Sequence, residues 1–193
     1  MDIAEEKFRH WTAGKAGVES RIPIFERIRD IPYAVISEQI DSMKYVNILR
    51  TNRGSCTPKH FLLSDMFRRL GLTVLYAVYP FRWDEVELDY PPELRKLAKE
   101  LPLSHHLACR VDINERLVLV DATLDPALAK LGLPVNVAWD GVSDTQLPLV
   151  PSGAEELYCH SEAGFIVPDL DDTSLKFYRG LNRWLDEVRE SVG

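Results

Sequence analysis

The stretch from Thr57 to Tyr79, TPKHFLLSDMFRRLGLTVLYAVY, leaves a folding chain few options. Leu62, Met66 and Leu70 recur at i, i+4 and i+8, and Leu63 and Phe67 run beside them. That spacing makes one apolar stripe and predicts an amphipathic helix from about Pro58 to Leu70. Thr57 is the expected N-cap, and Pro58 suits the first helical position, where its missing N–H costs nothing. Gly71 is the expected glycine at the helix end. LTVLYAVY (72–79) follows at once, rich in β-branched and aromatic residues, and reads as a strand. The chain has 193 residues, 46% of them hydrophobic, which is enough for one sizeable core. The expectation is a single domain over 1–193.

Other segments fill in around this unit. Residues 2–13 and 19–30 read as short helices. IPYAVIS (31–37) is apolar and fits a strand or the start of a helix. Ile40, Met43, Tyr45 or Val46, and Leu49 recur at roughly helical spacing within 38–49. Residues 80–104 hold Pro80, Pro91, Pro92 and Pro102 and a short charged helix at about 92–100. This insertion reads as an excursion over the surface, of the kind that carries binding loops. Strands at about 105–112 and 116–122 form a hairpin with a tight turn near Asn114. Prolines and turns fill 123–170. A closing helix spans about 172–191, with Leu175, Tyr178, Leu181, Leu185 and Val188 as its apolar stripe. The predicted class is α+β: a helix packed on an antiparallel sheet, with helices at both termini.

Charge and cysteine usage exclude several function classes. The net charge of −7 argues against a nucleic-acid partner, which needs a Lys/Arg surplus on some face. The acidic start MDIAEEKFRH is not a secretory signal, and no apolar run approaches the ~18 residues of a membrane span. Three widely spaced cysteines, Cys56, Cys109 and Cys159, do not make a disulfide framework and suit a reducing cytoplasm. No cysteine or histidine pair has metal-ligand spacing, and no phosphate or dinucleotide fingerprint is present, so neither metal nor cofactor is expected.

Cys56 is the residue whose address calls for chemistry. It stands between the turn Arg53-Gly54-Ser55 and the helix start. A free thiol, with a pKa of about 8.5, is only a few per cent thiolate at neutral pH, whereas a helix N-terminus favours the anion. The same N–H groups can hold an oxyanion. The plain alternative is a buried capping thiol. A catalytic thiol needs an imidazole, and the imidazole needs an orienting acceptor. SHHLACRVDINERLVLVDAT supplies His105 and His106 at the start of one hairpin strand and Asp121 at the end of the other. Asp121 could equally cap the turn DATLD. Parity separates the histidines. With a two-residue turn, Asn114-Glu115 or Ile113-Asn114, opposed residues sum to an odd number, so His106 shares a face with Asp121 and His105 points away. A three- or five-residue turn would reverse this, and the His105 face is the more apolar one, but the small Ala108 beside His106 leaves room for a substrate.

The order of these parts resembles the transglutaminase-like superfamily of thiol enzymes, which includes papain-related folds and the arylamine N-acetyltransferases. The matching residues are RGSC with its helix, GLTVLYAVY, HH, and LVLVDAT, within about residues 50–127. The resemblance implies a transglutaminase-like fold with Cys56 as nucleophile, His106 as general base and acid, and Asp121 as orienter. Ala108 stands where the family often has an aromatic, and Arg53-Gly54-Ser55-Cys56 replaces the acetyltransferases' Arg-Gly-Gly-x-Cys. The chain also has little room for their extra C-terminal domain, which favours the smaller transglutaminase or peptidase type. The implied activity is a thiol-dependent hydrolase or acyltransferase. Its substrate would be a peptide, a protein or a small amide or thioester, with Gln39 or Asn47 lending an oxyanion donor. The competing reading is a non-catalytic binding or scaffold module with the same fold.

Overall fold

A computed structural model describes residues 2–39, 42–165 and 170–191. The helices are α1 (Ile3–Thr12), α2 (Val18–Arg29), the single turn α3 (Ile48–Thr51), α4 (Cys56–Arg69), α5 (Pro92–Glu100) and α6 (Asp172–Glu190). The strands are β1 (Val74–Phe81), β2 (Ser104–Ile113), β3 (Arg116–Val120) and β4 (Glu156–Tyr158), arranged β3-β2-β1-β4. Every pairing is antiparallel. The architecture is α+β.

Helix α4 starts two residues before the sequence suggests. Ser55 takes the N-cap position in extended conformation without a side-chain capping bond, and Cys56 is the first helical residue. Thr57 and Pro58 therefore lie inside the first turn. Proline is tolerated there because none of the first four N–H groups has an intrahelical partner. At the other end Gly71 has φ 82°, Leu72 N–H donates to the Phe67 carbonyl and Gly71 N–H to that of Arg68. That pair of bonds is a Schellman closure, which aims the chain directly into β1.

Leu62, Leu63, Met66 and Phe67 are fully buried between α4, β1 and β2, with Ile24, Phe25 and Ile28 of α2 behind them. The β2–β3 hairpin closes on Asn114 (φ 54°) and Glu115 (φ 63°), with Ile113 opposite Arg116. Two central residues at positive φ match the right-handed twist of the strands.

Three segments differ from expectation. Residues 38–49 do not form one α-helix: Ser37–Gln39 and Ser42–Asn47 are 3-10 turns, followed by α3. Positions 43, 46 and 49 recur every three residues, which is the 3-10 period. Ile40 lies outside the described residues. IPYAVIS runs extended and touches the chain through a parallel bridge, Tyr33 to Gly54. The 80–104 insertion is not a surface excursion. Trp83, Leu88, Tyr90, Leu94, Ala98 and Leu101 are buried and form a second apolar cluster with Phe177, Leu181 and Leu185 of α6. Trp83, Leu88 and Tyr90 lie irregularly between prolines and show no period, whereas Leu94, Ala98 and Leu101, at i, i+4 and i+7 along α5 and its C-cap, mark its inward face. Among the described residues no helix is long and apolar enough to cross a membrane.

Candidate functional site

The first turn of α4, the start of β2 and the end of β3 meet at one place. His106 Nε2 lies 2.6 Å from Asp121 Oδ2, and both residues are buried. The hairpin register sums to 229, as in Cys109–Val120, so Asp121 sits diagonally across from His106 on the same face. His105 is exposed and makes no bond to Asp121. With Nε2 committed to Asp121, the other imidazole nitrogen is left for Cys56, and the imidazole and the Leu107 backbone N–H both act on the sulfur. The Thr57 hydroxyl is 3.9 Å from it.

The electrostatics follow from burial set against partners. Burial opposes charge on His106, but the Asp121 carboxylate and the Cys56 sulfur outweigh it and lift the imidazole to about 10. Burial also opposes the thiolate and the carboxylate. Yet the His106 hydrogen bond and charge hold both Cys56 and Asp121 below their ordinary values. Each of the three shifts favours the charged form of its group, the thiolate, the imidazolium and the carboxylate. Asp121 is further fixed by the Thr123 N–H at 2.9 Å, and its own N–H donates to the Thr145 hydroxyl.

Local reasons place each group. Gly54 precedes the thiol because a Cβ there would stand 2.8 Å from Ile48 Cγ2 and 3.3 Å from a Pro58 ring carbon. The glycine is required by close approach, not by positive φ. Gly54 is hydrogen-bonded on both sides to the 32–34 segment. That segment is clamped in turn: Tyr33 N–H donates to Asp125, and Arg189 of α6 reaches both Asp125 and the Tyr33 carbonyl.

Two neighbours on α4 passed unnoticed in the sequence as parts of this site. His60, one turn after Cys56, is fully buried. The Ala122 N–H donates to its Nε2 at 3.0 Å, which leaves Nδ1–H to donate to the Cys56 carbonyl at 2.9 Å. Burial drops its pKa to about 4, so it is a neutral spacer. Lys59 is fully buried and donates to the carbonyls of Arg29 and Thr123. Burial brings it to about 7. The spacings of three and four residues from Cys56 were the signal for both.

Cys56 and His106 stand in the wall of a cavity of about 440 Å³, shared with Tyr33, Trp83, Thr123 and Tyr178. Neither Gln39 nor Asn47 lines it. The Gln39 amide instead donates to the Thr51 hydroxyl, and the Asn47 carbonyl accepts from that hydroxyl. Cys109 is buried away from the cavity lining, and Cys159 is exposed. Among the described residues no three His, Cys, Asp or Glu side chains converge as a metal site requires.

Compared with protein-family models, curated proteins and solved structures, the chain matches none.

Proposed function

We propose that this chain is a cysteine-dependent hydrolase or acyltransferase with a transglutaminase-like fold. The observation that carries the reading is the Asp121–His106 bond of 2.6 Å in the wall of a cavity that His106 shares with Cys56, a cysteine that opens a fourteen-residue helix. In this mechanism the Cys56 thiolate attacks an amide or thioester carbonyl. The C–S bond forms as the carbonyl electron pair moves onto oxygen. The uncapped N–H groups of the first turn of α4 hold that oxyanion. Collapse breaks the bond to the leaving nitrogen or sulfur, which takes the proton from the His106 imidazolium. Water or an amine then attacks the acyl-enzyme, gives its proton to His106 and releases the thiolate. Asp121 orients the ring throughout.

Iodoacetamide labelling at pH 6 with peptide mapping tests this. An ordinary thiol is almost wholly protonated at pH 6, so Cys56 is expected to label at least about tenfold faster than the exposed Cys159. His106→Ala should remove that advantage. If Cys159 labels first and Cys56 shows no inflection below pH 8, the thiolate mechanism fails.

A further inference from the structure

We propose that the cavity beside Cys56 receives an uncharged, apolar acyl group, so that the preferred substrates are amides or thioesters of medium-chain or aryl carboxylic acids. This rests on the acyl-enzyme reading above and specifies its substrate. At about 440 Å³ the cavity falls within the range of sites that enclose whole small molecules. Its walls are mostly aliphatic and aromatic: Phe81, Trp83 and Leu88 from the 80–104 insertion, Leu181 and Leu185 from α6, and Leu128 from the loop after β3. Among the described residues no Lys, Arg, Asp or Glu lines it. Its titratable groups among the described residues are Cys56, His105, His106, Tyr33 and Tyr178. Burial, then the nearby Cys56 charge, pushes the Tyr33 phenol well above its ordinary value, which keeps it neutral.

A charged acyl tail would therefore be buried without a partner, at high cost. Apart from Cys56 and the two histidines, the polar groups that border the cavity are neutral hydroxyls, those of Ser55, Thr57, Ser104 and Ser174 and the phenols of Tyr33 and Tyr178, while the Thr123 hydroxyl and the Trp83 indole N–H are buried. A few neutral hydroxyls among mostly apolar walls suit a carbonyl or ether oxygen on an otherwise apolar group. Each methylene moved from water into such a site should strengthen binding about fourfold.

Two measurements on the full chain test this. In the first, thiophenyl esters from acetyl to octanoyl are compared by kcat/KM, with glutaryl as the charged control. A rise of about fourfold per methylene and a poor glutaryl rate are expected. In the second, which needs no turnover, Cys56 is alkylated with iodoacetamide and with N-hexyl iodoacetamide, Cys159 serving as internal reference. The hexyl reagent is expected to gain at least about tenfold at Cys56 and nothing at Cys159. Leu149→Trp and Val86→Trp, which enlarge partly buried side chains of the lining, should each erase the hexyl preference while sparing iodoacetamide labelling. Fast iodoacetamide labelling with no chain-length preference would overturn this inference and leave the proposed mechanism standing. A hexyl preference with no ester turned over would support the apolar cavity and defeat the reaction.

Discussion

Two apolar clusters of similar composition flank the thiol, and they are packed to different ends. Under α4, Leu62, Leu63, Met66 and Phe67 meet β1, β2 and α2 with no exposure, and Trp139 stacks on Phe67 and lies tilted against Phe25. Around α6 and the 80–104 insertion, Trp83, Leu88, Leu181 and Leu185 are also below 10% exposure, yet they leave a partly open space of about 440 Å³. The first cluster fixes where Cys56 stands. The second decides what can reach it. Apolar content alone does not distinguish the two, since burial measures loss of water contact and says nothing of how completely the vacated volume is filled.

The largest expected effect separates them by stability. Leu62→Ala would open a void inside a filled cluster, so it should cost about 3–5 kcal/mol, from lost transfer energy plus the cavity term. Leu181→Ala removes as many atoms, but on one side they border space that is already empty. Its cost should be nearer 2 kcal/mol, mostly the transfer term. Urea denaturation of both variants checks this, and equal losses would break the comparison.

The next effect is electrostatic, and it uses two histidines whose rings lie 6.2 Å apart. His60 belongs to the filled side and His106 to the cavity side. With a folded pKa of about 4 against an ordinary 6.5, His60 stays neutral where the unfolded chain gains a proton. Stability should fall as pH drops from about 6.5 toward 4, by on the order of 2–3 kcal/mol. Asp121, held below its ordinary value, adds a further loss at still lower pH, as its carboxylate protonates. His106 has the opposite sign. Its contribution is complete below about 6.5 and is lost as pH rises through about 10. His60→Gln should flatten the acid limb between 6.5 and 4 and leave the alkaline limb unchanged. Ring-nitrogen NMR should find one neutral and one charged histidine at pH 7, and two neutral rings would remove the ion-pair reading.

The filled side was also the legible side. The α4 stripe, β1 and the β2–β3 hairpin show through the sequence because periodicity reports an element that buries one face. His106 and Asp121 could be placed together because a two-residue turn fixes parity over fifteen positions. The cavity side was not legible. Trp83, Leu88 and Tyr90 lie on loops between prolines, where no period exists, and β4 has only three residues. Lys59 and His60 look like solvated helix residues until the fold supplies the Arg29, Thr123 and Ala122 backbone groups that satisfy them. Such partners are set by tertiary contacts sixty or more residues away in two of these three cases. The shift of the α4 start has a different cause: Thr57-Pro58 obeys the rules for a cap, but Pro58 suits the third helical position as well as the first.

The smallest expected effect lies outside both clusters and asks whether the turn alone sets the register. Glu115 is exposed and sits at φ 63°, a left-handed conformation that costs an L-residue roughly 1–2 kcal/mol. Glycine is favoured at this place in a two-residue hairpin loop, though it raises the entropy of the unfolded chain by a comparable amount. Glu115→Gly should therefore stabilise the protein by about 0.5 kcal/mol, a rise of a degree or two in Tm. Because Ile113 would still oppose Arg116, His106 and Asp121 would stay on one face, and the Cys56 labelling rate should not change. A stability gain with unchanged labelling would assign the turn to register and the two clusters to everything else. A change in Cys56 labelling would mean that the turn influences the thiol by some route other than register, and the division between a cluster that positions Cys56 and one that admits its substrate would have to include the hairpin.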